Sequence, residues 1–332
     1  MNYTLAPLTL PVNARWDQNG TIVAGSPNGS SLDRLSYNFG IYCADDDILY
    51  IADSGNSRVV LIAPNSTTAI RIIWQVLPSN PLQTPTDVFV TRASIYVIDA
   101  SDFSVQKWPK DFSDSVIVAG TSGVKGNATD MMAIGTSYNL FVDKYGNVFV
   151  SDLDNHRVMR FLWNSTNGTE GVMVAGTGVG GIDATQLNGP RGVFVTDDGT
   201  LYIADSYNHR IQKWIKSAIS GSTVAGTEAG GTGLSELSYP QAVLVDANRC
   251  IYVADYGNNR IMRWAPGTNI GECIAACSGY SGAALGQLNG PNSIAFDSSG
   301  SLYVNEVNNR RVQKFEIKNE TSTISISCLF LV

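Results

Sequence analysis

The residues of this sequence that could do chemistry recur in one regular pattern. An acidic residue is followed three positions later by Asn and five positions later by Arg, in several copies along the chain. A carboxylate, an amide and a guanidinium could together serve acid–base chemistry or anion binding. Because an active site is asymmetric whereas these residues repeat, we interpret them as structural. In that role the Asn tolerates a left-handed turn. The carboxylate accepts hydrogen bonds from turn amides or from an Arg, either of its own repeat or of an adjacent one. The residues assigned to this role are Asp53, Arg58, Asp152, Asp205, Asp255, Glu306 and Arg311.

The two histidines, His156 and His209, occupy the same position of the pattern, between the Asn and the Arg. A catalytic zinc ion needs three protein ligands and an open fourth position. Two histidines in equivalent positions of successive repeats do not supply such a set. We therefore expect no metal, no other cofactor and no catalytic residues.

The cysteines number five, and none belongs to a Cys-x-x-Cys pair. We expect Cys43 to be a small core residue on a strand, because free cysteines are usually buried. The other four leave two alternatives open, either one disulfide among them or none: Cys250, Cys273, Cys277 and Cys328.

The pattern belongs to a repeat of about fifty residues that contains four short apolar segments. In the fourth copy these are strand a (Gly192–Val195), strand b (Leu201–Ala204), strand c (Ile211–Trp214) and strand d (Thr223–Gly226). Four strands at this period indicate a propeller. Strand b is apolar at three consecutive positions, which favours blades packed on both faces over small sandwiches with one wet face. The sequence predicts an all-β, six-bladed β-propeller of four-stranded antiparallel blades.

A strand of type d, Ile22–Gly25, precedes the first complete a–b–c unit, and the sixth unit lacks one. We predict that this N-terminal strand closes the ring, since an open ring would expose two strand edges. The rival for that edge is Thr323–Ser327. The predicted organisation is an N-terminal tail (1–18), the propeller (19–317) and a C-terminal tail or additional edge strand (318–332).

The repeat resembles the NHL repeat family over about residues 20–316. The resemblance rests on two overlapping motifs that share one Asp, Tyr-(Ile/Val)-Ala-Asp and Asp-x-x-Asn-x-Arg, and on Pro-x-x-(Val/Ile) at strand a. It is weaker in the second copy, where Asp102 and Ser104 replace Asn and Arg, and in the sixth, where Glu306 replaces Asp. Such members are six-bladed propellers. They serve as RNA- or protein-binding domains of ubiquitin-ligase-like proteins, as extracellular sensor domains of bacterial kinases, and as an amidating lyase.

The charge balance disfavours nucleic acid as a partner. Lys and Arg total 22 against 29 Asp and Glu, a net charge of -7, whereas phosphate binding relies on Lys and Arg. No apolar run is long enough to span a membrane, and the N-terminus shows no signal peptide. We expect a monomer.

N-glycosylation sequons are more frequent than composition alone predicts, which favours an extracellular or secreted protein. Most of those within the repeats fall on c–d connections, so glycans would crowd one end of the propeller. Besides Asn2, the candidate sites are Asn19, Asn28, Asn65, Asn127, Asn164, Asn167 and Asn319.

The opposite end, with the b–c turns and the long d–a loops, is the predicted binding surface, because loops on rigid scaffolds carry function. We expect a non-catalytic recognition module that binds a protein or a glycan there. The alternatives are an intracellular RNA- or substrate-binding propeller of a ubiquitin-ligase-like protein and a metal-dependent lyase or hydrolase. The candidate binding residues are Asp154, Tyr207, Tyr256, Arg157, Arg210 and Arg260.

Overall fold

The structure is a computed structural model that describes residues 8–11, 13–25, 34–73 and 81–318, and its regular secondary structure is almost entirely β-strand. No helix in these ranges is long and apolar enough to cross a membrane. Within the described ranges the helical content is four short 3₁₀ turns between strands b and c, namely Ser54–Asn56, Leu153–Asn155, Ser206–Asn208 and Tyr256–Asn258.

The strands form six four-stranded antiparallel sheets, which are the blades. After β1 (Thr21–Ala24), the chain forms three blades in which a, b, c and d follow one another in sequence. Blade one is β2 (Asn38–Cys43), β3 (Leu49–Asp53), β4 (Arg58–Ile62) and β5 (Ala69–Ile73). Blade two is β6 (Pro85–Val90), β7 (Ser94–Asp99), β8 (Ser104–Pro109) and β9 (Val116–Gly120). Blade three is β10 (Ser137–Val142), β11 (Val148–Asp152), β12 (Arg157–Phe161) and β13 (Val172–Gly176).

The second half of the ring follows the same order up to the last blade, which has only three strands of its own. Blade four is β14 (Pro190–Val195), β15 (Leu201–Asp205), β16 (Arg210–Trp214) and β17 (Ser222–Gly226). Blade five is β18 (Pro240–Val245), β19 (Ile251–Asp255), β20 (Arg260–Trp264) and β21 (Glu272–Ala275). Blade six is β22 (Pro291–Phe296), β23 (Leu302–Glu306) and β24 (Arg311–Phe315), completed by β1.

The ring is closed by the N-terminal strand, as the sequence predicts. Strand β1 is antiparallel to β24, with Thr21 opposite Lys314 and Ala24 opposite Val312. It therefore takes the position of strand d in blade six. The rival segment Thr323–Ser327 lies outside the described residues.

The described residues just before β1 also pack against the propeller. Trp16 is buried, and its indole N–H donates to the Gly300 carbonyl oxygen at 2.9 Å. Leu10 is buried too, and its carbonyl oxygen accepts a hydrogen bond from the Asn248 side chain at 2.7 Å. This N-terminal segment thus covers the a–b turns of blades five and six.

The core consists of six apolar clusters, one at each interface between adjacent blades. Trp214 of blade four packs with Phe149 of blade three, and Trp264 of blade five packs with Tyr202 of blade four. The aromatic positions of strand c are therefore packing residues. Because every interface buries one, the stability of the ring depends on all of them: Ile62, Trp108, Phe161, Trp214, Trp264 and Phe315.

The repeated Asp and Arg form a buried ion pair within one blade, and not between blades. Arg157 Nε donates to Asp152 Oδ2 at 2.9 Å, and both side chains are fully buried. The same guanidinium donates to carbonyl oxygens of the preceding d–a loop, at Ala128 and Asp130. Asp152 Oδ1 accepts the Gly135 backbone N–H of that loop. The pair therefore fixes the long loop to its own blade in the five blades that contain it, and the expectation of an Arg from the adjacent blade is corrected.

One disulfide is present among the described cysteines, joining Cys273 at β21 to Cys277 just beyond it. Ala276, between them, has φ of 53° at the place where other blades have a Gly in the same left-handed region, such as Gly226. The disulfide holds this end of the strand, where an Ala is less favourable than Gly. Cys43 and Cys250 are free, and Cys328 lies outside the described residues.

Candidate functional site

The central channel widens into a cavity of about 900 Å³ surrounded by the inner strands of the ring. Its rim is formed by the a–b turns, including Arg92, residues 143–145 and residues 196–199. We call this end of the propeller the cavity face. The opposite end, with the b–c turns and d–a loops, is called the loop face.

The wall of the cavity carries four aromatic rings from successive inner strands, which we call the aromatic belt: Tyr42, Phe89, Phe141 and Phe194. Neighbouring ring centroids lie 4.6, 5.1 and 5.1 Å apart around this arc. Each ring occupies the same position of strand a, so the antiparallel pairing that builds the blades also aligns the belt. In blades five and six the same position of strand a holds the smaller aliphatic residues Leu244 and Ala295.

The channel is constricted toward the loop face. The rings of Phe39 and Tyr138, from blades one and three, lie 5.3 Å apart, and the Arg191 guanidinium covers Tyr138 at 4.5 Å. These side chains precede the belt by three positions on their strands. The cavity is thus a funnel that is wide at the cavity face and narrow at the loop face.

At the narrow end of the cavity lies Asp87, whose side chain is buried at 3% exposure. Its Oδ2 accepts hydrogen bonds at 2.8 Å from the Leu140 backbone N–H and from the Asn139 side chain. The ion pairs found among the described residues include none to Asp87. Burial raises the pKa of this carboxyl to about 8, against the opposing effect of its hydrogen bonds.

Asp87 belongs to a series of side chains that link neighbouring inner strands. Asn139 Oδ1 accepts the Val193 N–H at 2.7 Å, and Ser293 Oγ accepts the Ile41 N–H at 3.1 Å. Each acceptor stands at the position of strand a that Asp87 occupies in blade two. Each accepts a backbone N–H from strand a of the next blade, at equivalent positions. Neutral side chains therefore perform this structural role in two of the three cases.

The raised pKa of Asp87 predicts a pH-dependent cost to stability. The folded-state pKa of about 8 exceeds the ordinary 3.8, so the stability contribution of the neutral carboxyl is complete below pH 3.8 and is lost as pH rises toward 8. Asp87→Asn should therefore become more stable than the wild type over this interval, by about 2 kcal/mol or more at pH 8.5. Urea unfolding of both proteins at pH 5 and pH 8.5 measures the difference. A stability difference that is the same at both pH values would contradict the assignment.

The match to a family model falls on blade four: residues 187–214 match the NHL repeat. These residues contain strands a, b and c, with Asp205 and Arg210 in the ion pair that four other blades also form. The chain is a six-bladed β-propeller whose fourth blade contains an NHL repeat.

Solved structures similar to this propeller share its fold at low sequence identity. A protein of unknown function from Bacteroides thetaiotaomicron is 16% identical, with TM-score 0.67 over 90% of this chain and 76% of its own. An auxiliary nutrient binding protein of the same organism is 13% identical, with TM-score 0.64 over 92% and 78%. A gluconolactonase of Xanthomonas campestris is 11% identical, with TM-score 0.62 over 90% and 98%. No curated protein matches in sequence. The fold is thus similar to those of both a binding protein and an enzyme.

The predicted binding residues of the propeller lie on the loop face and do not line the cavity. The side chains of Arg157, Arg210 and Arg260 are buried in their ion pairs, so they stabilise loops and offer a partner little surface. Tyr207 is 44% exposed, and its ring contacts Tyr239. Asp154 is exposed and pairs with Lys125, and Tyr256 is half-buried.

The two histidines link adjacent blades of the propeller. His156 Nδ1 accepts the Gly189 N–H at 3.1 Å, and His209 Nδ1 accepts the Tyr239 N–H at 3.2 Å. Burial lowers the pKa of His209, which favours this neutral acceptor. Among the described residues no three His, Cys, Asp or Glu side chains are grouped to hold a metal ion.

The sequons within the described residues are all at exposed asparagines: Asn19, Asn65, Asn127, Asn164 and Asn167. Asn28 and Asn319 lie outside the described residues. Modification of these positions stays a prediction.

The cavity was not predicted from the sequence, although two signals for it were present. The aligned inner strands carry an aromatic residue at one position in four consecutive repeats, and Asp87 interrupts an apolar segment of strand a. Both signals require comparison of equivalent positions between repeats. Loop variability instead directed the prediction to the loop face.

Proposed function

We propose that this propeller is a non-catalytic, extracellular recognition module that binds a compact ligand, or the end of a glycan or peptide chain, in its central cavity. The observation that carries this proposal is the funnel with its aromatic belt. Its volume of about 900 Å³ lies within the range of small-ligand sites, which are concave and mostly apolar with a few polar groups.

The chemistry of the wall supports binding rather than turnover. Among the described residues of the wall, Cys43 carries the thiol, and burial raises the pKa of that thiol, so it stays protonated and is a poor nucleophile. The rim mixes charges of both signs, with Arg249 paired to Asp198 at 2.9 Å and Arg92 to Asp45 at 3.6 Å. These pairs give a polar mouth above an apolar wall, as in ligand-binding sites.

Two observations support the extracellular location. Four of the five described sequons, all exposed, lie on c–d connections, which are at the cavity face but join the outer strands of the blades, away from the central mouth. The Cys273–Cys277 disulfide suits an oxidising compartment. The net charge of -7 makes nucleic acid an unfavourable partner for this module.

A ligand screen by thermal shift tests the proposal, with three variants as comparisons. Leu244→Trp fills the cavity, so it should abolish the rise in melting temperature that cavity ligands cause. The affinity for these ligands should fall about tenfold or more. Ile219→Trp makes the same size increase at a residue that is 87% exposed, and it should have no effect. Tyr207→Ser removes an exposed aromatic residue from the loop face and should also leave binding unchanged.

The outcomes separate the two faces and the two classes of function. Binding that survives Leu244→Trp and is lost in Tyr207→Ser would move the site to the loop face. Mass spectrometry of the bound ligand should recover it unchanged after long incubation. Recovery of a hydrolysed or eliminated product would establish an enzyme and overturn the non-catalytic assignment.

A further inference from the structure

Asp87 places an ionisable carboxyl group in the cavity wall at a position where the architecture requires only a neutral hydrogen-bond acceptor. Asn139 and Ser293 make the same link between inner strands with neutral acceptors. An ionised carboxylate in this position would add the free-energy cost of burying a charge. The raised pKa of Asp87 reflects that cost. A cationic ligand would offset that cost.

The carboxyl group of Asp87 lines the cavity, and its two oxygens have different surroundings. Oδ2 is occupied by Leu140 and Asn139 of blade three. Oδ1 is on the side of Gly40 in blade one, where a Cβ atom would overlap it. A glycine at residue 40 therefore makes room for the charged group beside the cavity.

The aromatic belt is placed to receive the same ligand. Phe89 lies two residues after Asp87 on β6, so the two side chains project to the same side of the strand. Tyr42 and Phe141 flank Phe89 at 4.6 and 5.1 Å. Aromatic rings attract cations through their negative faces, and a carboxylate beside them supplies a full charge.

We propose that the cavity recognises the ammonium group of a compact organic amine, with Asp87 as its anionic partner and the aromatic belt around its apolar part. This inference rests on the proposed function, because it assigns the chemistry of a ligand to the same cavity. It assigns no role to the loop face.

Equilibrium binding of benzylamine and of benzyl alcohol to the full chain tests the inference. The two probes share an aromatic ring and differ in the charged group. The wild type should bind the amine at least tenfold more tightly than the alcohol. Asp87→Asn copies the neutral link of blade three, so it should fold, lose tenfold or more in amine affinity and keep its affinity for the alcohol. Asp154→Asn, a charge change on the loop face, should alter neither.

Each other result has a distinct meaning. Equal affinity for the two probes, or amine affinity unchanged in Asp87→Asn, would overturn the inference. If a neutral glycan binds the wild type and Asp87→Asn but not Leu244→Trp, the proposed function stands and recognition of an amine is overturned. Amine binding that depends on Asp87 but persists in Leu244→Trp would contradict the cavity as the binding site, and with it both the proposed function and this inference.

Discussion

A chain that begins at Ser26 is expected to lose about 5 kcal/mol or more of unfolding free energy, because it lacks strand β1 and the buried Trp16. Removal of a buried Trp side chain alone typically costs about 3–5 kcal/mol. The ladder hydrogen bonds of β1 to β24 add about 0.5–1.5 kcal/mol each. The exposed edge of β24 should also promote aggregation.

Urea unfolding of the full and truncated chains measures this loss. Trp16→Ala is the matched variant that removes the side chain and keeps the strand, so it should fall between the two. A synthetic peptide of residues 8–25 should restore part of the stability when added to the truncated chain. Equal urea midpoints for the full and truncated chains would show that β1 does not close the ring.

Arg157→Met is expected to destabilise the protein by about 3–5 kcal/mol, because it leaves Asp152 buried without its cation. It also removes the donors to Ala128 and Asp130, which hold the d–a loop of blade three. The same loop provides an internal comparison. Lys125→Met breaks the exposed pair with Asp154 and should cost less than about 1 kcal/mol.

Thermal or urea unfolding of both variants makes the comparison. Asp152→Asn in the Arg157→Met background should recover part of the loss, since it removes the unpaired charge. If Arg157→Met costs no more than Lys125→Met, the repeated ion pair is not the structural element assigned to it here.

The fold could be predicted from the sequence because every repeat carries the same signals. Six copies of strand b, each apolar on both faces, indicate blades packed against one another, and the unpaired segment Ile22–Gly25 indicates the closure. These signals are local in sequence and are reinforced by repetition. The packing of Leu10 and Trp16 against blades five and six has no such copy, and it was missed.

The candidate site was less predictable, because it is formed by single residues from separate blades. Asp87 and Phe89 lie about a hundred residues from Phe194 in sequence, and only ring closure brings their strands around one channel. The loop face attracted the prediction because its loops vary. Its arginines are buried by the d–a loops, a burial that no sequence pattern indicates.

The most direct test of the central claim is a crystal structure of the protein with the tightest ligand from the screen. We predict chemically intact ligand inside the funnel, in contact with the rings of Phe89 and Phe141. Ligand bound among the d–a loops near Tyr207, with none in the funnel, would contradict the account.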